Sequence, residues 1–169
     1  SYADTAVSNI QIGGRNYILN SDIPHTSNYA YNLSQNAVDF INNNLNKPIT
    51  FSCMMDWDNV VMDSSLYNKH RCGIYLSWKN VSAPGNTTEY CIYYPSDPIA
   101  RTKSVYQYYT RIFTETISLL TIEALQQVAS GTVTVYNIKL ELGNKATDWT
   151  PAPEDVDASI ALVQTNLDT

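Results

Sequence analysis

Five segments rich in β-branched and aromatic residues constrain this chain most: PITFSCMMDW (Pro48 to Trp57), GIYLSWK (Gly73 to Lys79), EYCIYYP (Glu89 to Pro95), SVYQYYTRIF (Ser104 to Phe113) and TVTVYNIKLEL (Thr132 to Leu142). Stretches carrying Gly, Pro, Asn and Asp separate them, so each reads as a strand bounded by turns. TISLLTI (Thr116 to Ile122) is a further strand candidate and YILN (Tyr17 to Asn20) an early one, whereas NAVDFINNNL (Asn36 to Leu45) fits either a short helix or a strand. Strands without long intervening helices argue for an all-β, antiparallel β-sandwich rather than a parallel α/β sheet. With 169 residues and 44% apolar content, one domain can bury about 70% of the surface it exposes unfolded.

The termini read differently. Val156, Ile160, Val163 and Leu167 recur at spacings of four, three and four, a heptad-like helical stripe that Asp155 or Asp157 is placed to cap. Ala3, Ala6 and Ile10 repeat at three and four near the start. The expected organisation is a helix stub over 1–11, a β-sandwich over 12–153 and a second helix stub over 154–169. There is no initiating Met, and SYADTAVSNI lacks the basic and apolar regions of a signal peptide. The chain therefore reads as a piece of a longer protein.

Net charge is −6, with basic residues scattered singly. No basic stripe is present for phosphate, so nucleic acid and anionic membrane surfaces are poor partners. Cys53, Cys72 and Cys91, with only two His, match no zinc spacing and read as buried thiols or at most one disulfide. Gly-rich phosphate loops, GxSxG elbows and HExxH are absent from the sequence. Asp56, Asp58 and Asp63 are carboxylates in one neighbourhood, but glycosidase chemistry requires two held about 5–9 Å apart with divided pKa values. DWDN (Asp56 to Asn59) is expected to form an exposed turn or a ligand-contacting loop, and the domain to be non-catalytic.

Thirteen Tyr, three Trp and seventeen Asn stand against three Phe. Tyr and Trp join a flat apolar face to a polar edge, and Asn offers donors and acceptors without charge. Such a palette suits a neutral polyhydroxylated ligand. Alternation along the strands sets Ile74, Leu76 and Trp78 against Tyr75, Ser77 and Lys79, and Tyr106, Tyr108 and Thr110 against Val105, Tyr109 and Phe113. One face of each strand fills a core and the other can meet a ligand. Candidate stacking platforms are Trp57, Trp78, Tyr93, Tyr94, Tyr106 and Tyr108, with Asp56, Asp58 and Asn59 as hydrogen-bonding groups.

Two further stretches bracket the strands. NIKLELGNKATDWTPAPED (Asn137 to Asp155) closely resembles the end, and IGGRNYILNSD (Ile12 to Asp22) the beginning, of carbohydrate-binding modules in tail, baseplate and tail-fibre proteins of phages that infect Gram-positive bacteria. The resemblance covers the edges of the domain, and the middle agrees only in strand character. It implies a jelly-roll sandwich whose first and last strands are neighbours, with Trp149 and Pro151 pinning the exit of the chain. It also implies adhesion of a virion, assembled in the bacterial cytoplasm, to a host cell-wall polysaccharide, and a homotrimeric parent fibre. Related modules hold a structural Ca2+, for which Asp22 and Glu141 are the matching oxygen donors. Rival readings are a spacer or decoration domain without its own ligand, and a binder of a protein receptor.

Overall fold

A computed structural model describes residues 14–66, 69–83, 86–93 and 105–167, with the backbone alone for 86–93 and Val105. The chain is mostly β, with two antiparallel sheets in a sandwich-like arrangement. In chain order the elements are β1 (Tyr29–Ala30), α1 (Ala37–Asn42), β2 (Pro48–Val61), β3 (His70–Asn80), β4 (Asn86–Tyr93), β5 (Val105–Ile112), β6 (Ile117–Val128), β7 (Ser130–Leu142) and α2 (Pro153–Leu167). One sheet has the order β1-β6-β3-β4 and the other β5-β2-β7.

Period-two alternation builds the core. Phe51, Cys53, Met55 and Trp57 of β2 point inward, as do Ile74, Leu76 and Trp78 of β3 and Ile122 and Ala124 of β6. Their partners from β7 are Val133 and Val135, then Ile138 and Leu140. The change from odd to even positions occurs at Asn137, whose φ of 51° accompanies a register shift against Ser52 and Met54. Asn tolerates this left-handed conformation better than a β-branched residue, so the bulge resets which side chains face the core. A second shift lies between Asp58 and Val61, where Asn59 has a φ of 49° and Val60 turns inward. Gly131 packs there at a φ of 79°; a Cβ on it would stand 2.3 Å from the Asn59 carbonyl oxygen.

Several expectations are corrected here. DWDN is not a turn after a strand, because β2 continues through it to Val61. YILN contributes only an isolated bridge between Ile18 and Leu33, and the chain then turns through Asn20 at a φ of 49°. Asn36 to Leu45 resolves as the short helix α1 followed by turns. Pro153 opens α2, where its missing N–H leaves no intrahelical bond unmade. The Asp155 carboxylate therefore does not cap the helix and instead accepts the backbone N–H of Asn20 at 2.9 Å. The stub expected over 1–11 lies outside the described residues.

The two bracketing stretches meet through Asn16, which is fully buried. Its Nδ2 donates to Ser21 Oγ, the Ile138 carbonyl and the Thr150 carbonyl at 3.1, 3.0 and 3.1 Å. Its Oδ1 accepts from the N–H groups of Ile18 and Leu140, both at 3.1 Å. Trp149 Nε1 donates to the same Ser21 Oγ at 3.0 Å, which fastens the exit of the chain as the resemblance implies. Arg15 and Ser34 both donate to Glu154 Oε1 at the first turn of α2.

Candidate functional site

The outer face of the three-stranded sheet is where exposed aromatic and polar side chains converge. Strand pairing places Tyr106, Met54 and Tyr136 in one row across β5, β2 and β7, with Tyr108, Ser52 and Lys139 in the next. Tyr106 and Tyr108 are 46% and 59% exposed, and their ring centroids lie 6.4 Å apart at a tilt of 33°. Both rings stand on the face opposite the core because their strand alternates, as the sequence predicts.

Beside these rings is a groove of about 420 Å³ lined by Ser52, Met54, Tyr106, Tyr136, Asn137 and the segment Ala146–Trp149. Its size falls within the range of small-molecule sites, roughly 300–1,000 Å³. Burial raises the pKa of the Tyr106 phenol above its usual value, while a hydrogen bond with Ser52 acts in the opposite sense. The Tyr136 hydroxyl donates to Asp56 Oδ1 at 3.1 Å. The phenols of Tyr106 and Tyr136, the Asp148 carboxylate and the Asn137 amide thus line the groove together with Met54, Ala146 and Trp149.

One wall is held by a buried ion pair. Lys139 Nζ lies 3.3 Å from Glu141 Oε2, and the two side chains are 2% and 0% exposed. They sit on the outward face of β7 and are covered by the loop that follows it. Lys139 donates to Thr147 Oγ1 at 2.7 Å and the Asp148 carbonyl at 2.9 Å. Glu141 accepts the Thr147 N–H at 2.8 Å and its hydroxyl at 2.5 Å. A buried pair with its remaining polar groups satisfied fixes geometry. Here it fixes the position of Thr147 and Asp148 against the groove.

The candidate residues divide as follows. Tyr106, Tyr108 and Asp56 share this face, and of the three Tyr106 lines the groove while Tyr108 neighbours it and Asp56 holds the lining residue Tyr136. Trp57 and Trp78 are 2% and 3% exposed and belong to the core, since both occupy inward positions of their strands; they are corrected from stacking platforms to packing residues. Trp78 meets Phe113 edge-on at a centroid distance of 5.2 Å. Asp58 and Asn59 are exposed at the far end of β2, where Asn59 Nδ2 donates to Asp58 Oδ1 at 2.8 Å, and they do not line the groove. Tyr93 ends β4, its side chain outside the described residues, as is Tyr94 entirely. Cys53 and Cys72 are buried, and burial pushes the Cys72 thiol up to about 12.

Asp22 and Glu141, the oxygen donors that the resemblance offers to calcium, lie in different surroundings. Asp22 is exposed and lines a different groove, beside α2. The Glu141 oxygens already face the Lys139 ammonium and two Thr147 donors, which a divalent cation would have to displace. Among the described residues, no group of three or more His, Cys, Asp or Glu is placed to hold a metal.

Tyr136, Asn137, Thr147 and Asp148 are groove residues that sequence reasoning missed. Tyr136 was within reach of the alternation rule as an outward position following Val133 and Val135. Thr147 and Asp148 join the site only because the loop after β7 folds back, which strand periodicity does not register. Comparison of the chain with family models, curated proteins and solved structures gives no match.

Proposed function

We propose that this domain is a non-catalytic carbohydrate-binding module of a phage tail or baseplate protein, and that it adheres to a saccharide of the host cell wall. The supporting observation is the groove on the β5-β2-β7 face, where exposed Tyr106 lines the cleft with Ser52, Tyr136, Asn137 and Asp148, and the exposed Tyr108 ring stands 6.4 Å from that of Tyr106. A pyranose presents an apolar C–H face to a ring and hydroxyls to the polar rim. Asp56 and Asp148 on an acidic chain favour a neutral saccharide over an anionic one. The resemblance carried by GGRN at 13–16 and by the stretch from Asn137 to Asp155 supplies the phage setting and the jelly-roll form of the sandwich.

A single open groove of this kind suits weak binding, with adhesion arising from several copies on one virion. The test is binding of the fluorescently labelled domain, presented singly and multivalently, to a panel of intact Gram-positive cells, with purified wall polysaccharide as competitor. Strain-dependent labelling that polysaccharide abolishes supports the reading. No labelling across the panel, even when multivalent, would favour a spacer domain without its own ligand.

A further inference from the structure

The helix α2 lies with its apolar stripe uncovered. Val156, Ile160, Val163 and Leu167 are 43%, 52%, 57% and 79% exposed, and no residue of the helix is buried. The first three join Trp149 and Pro151 in lining a groove of about 570 Å³. The foot of α2 is fastened to the sandwich through Glu154 and Asp155, so the stripe has a fixed place on the domain surface. Exposure rises along it from foot to tip, and Trp149 and Pro151 stand on the foot side of Val156 in the chain.

Spacings of four and three suit packing against another helix that carries the same repeat. Here the spacings read four, three and four from either end of the stripe. A second α2 laid antiparallel therefore sets its Leu167 against Val156 and its Val163 against Ile160, and a two-fold axis repeats both contacts. The flanking residues then pair Asp157 with Gln164 and Ser159 with Asn166, which can hydrogen-bond and bring no like charges together.

Two observations set the direction. Glu154, Asp155 and Asp157 crowd the start of α2, and no Lys or Arg follows as far as Leu167. Parallel alignment gathers these carboxylates from both copies at one end, whereas antiparallel alignment sends them to opposite ends. Leu167 is also the most exposed residue of the stripe. At the tip of a parallel pair it meets only its own counterpart; reversed, it reaches Val156 at the apolar foot of the other copy. We propose that a second copy of this chain occupies the groove, with the two α2 helices antiparallel and Leu167 of each seated at the foot of the other. Two heptads make a small contact, so the dimer forms with rising concentration. It depends on no ligand of the sheet face.

The test mixes equal amounts of two full-length variants, Val156→Cys and Leu167→Cys, and oxidises them beside the unaltered chain as background for its own cysteines. Linked peptides are mapped by mass spectrometry. The expected result is a 156–167 link at least fivefold more abundant than either the 156–156 or the 167–167 link. Sedimentation of the unaltered chain should pass from monomer to dimer as concentration rises, while Ile160→Asp, on the uncovered face, stays monomeric with its sandwich folded. Predominant 156–156 and 167–167 links, or a trimer, would show parallel helices and overturn the proposal. An unaltered chain that stays monomeric at every concentration would overturn it as well.

Discussion

The side-chain amide of Asn16 donates to the carbonyl oxygen of Thr150 at 3.1 Å, closing a contact between residues 134 apart in sequence. The same side chain holds Ser21, Ile138, Leu140 and Ile18. The Asn of the opening stretch thus satisfies backbone groups of the closing one. Asn16→Ala leaves several of these groups buried without partners, at about 1–3 kcal/mol for each group that water cannot reach. The expected loss is about 3 kcal/mol or more in urea unfolding, with the m-value unchanged.

The buried pair of Lys139 and Glu141 gives a second expectation. Glu141→Ala strands the ammonium of Lys139 and frees Thr147, and breaking a buried pair on one side costs about 3–5 kcal/mol. Removal of divalent cations with a chelator is expected to leave the melting temperature of the unaltered protein unchanged. A drop on chelation that calcium reverses would show that the carboxylates serve a metal after all.

Tyr31 carries a different kind of strain. Its ring is buried against His25 and Tyr29, edge-on to both, and its hydroxyl has no hydrogen-bond partner among the described residues. Burial drives the pKa of this phenol well above its usual value. Tyr31→Phe keeps the ring and removes the unpaired hydroxyl, so calorimetry is expected to show equal stability or a gain of about 1 kcal/mol.

Acid should loosen the foot of α2. Glu154 has a lowered pKa, chiefly through the hydrogen bond from Ser34 and then through Arg15. A carboxyl depressed in the folded state contributes stability that is fully present above its unfolded pKa, near 4.5, and is lost as pH falls through the lower folded value. Amide exchange in the first turn of α2 is therefore expected to quicken below pH 4.5 relative to the core strands. Glu154→Gln should remove that pH dependence.

Strand alternation makes the core of β3 and the exposed pair Tyr106 and Tyr108 legible in the sequence, because a period of two needs no distant contact to be read. The same rule did not reveal that Trp57 continues inward along β2, since the polar residues around it imitate a turn. Asn59 and Asn137 were opaque for a related reason: only the folded sheet shows that each adopts a left-handed conformation and resets the strand's parity. The groove was half legible. Its aromatic wall follows from strand register, but the wall of Thr147 and Asp148 depends on Lys139 and Glu141 pairing beneath a loop, and charged residues on a strand normally read as solvent-facing.

The most direct test of a saccharide site on the β5-β2-β7 face is calorimetric titration of purified wall polysaccharide from a labelled strain into the domain and into Tyr106→Ala and Tyr108→Ala, with the melting temperature of each recorded. Both residues are about half exposed, and loss of an aromatic platform removes roughly 1 kcal/mol or more of binding. The expected result is at least a fivefold weaker affinity in each variant, with the melting temperature nearly unchanged. Undiminished affinity in both folded variants would contradict the assignment of this groove.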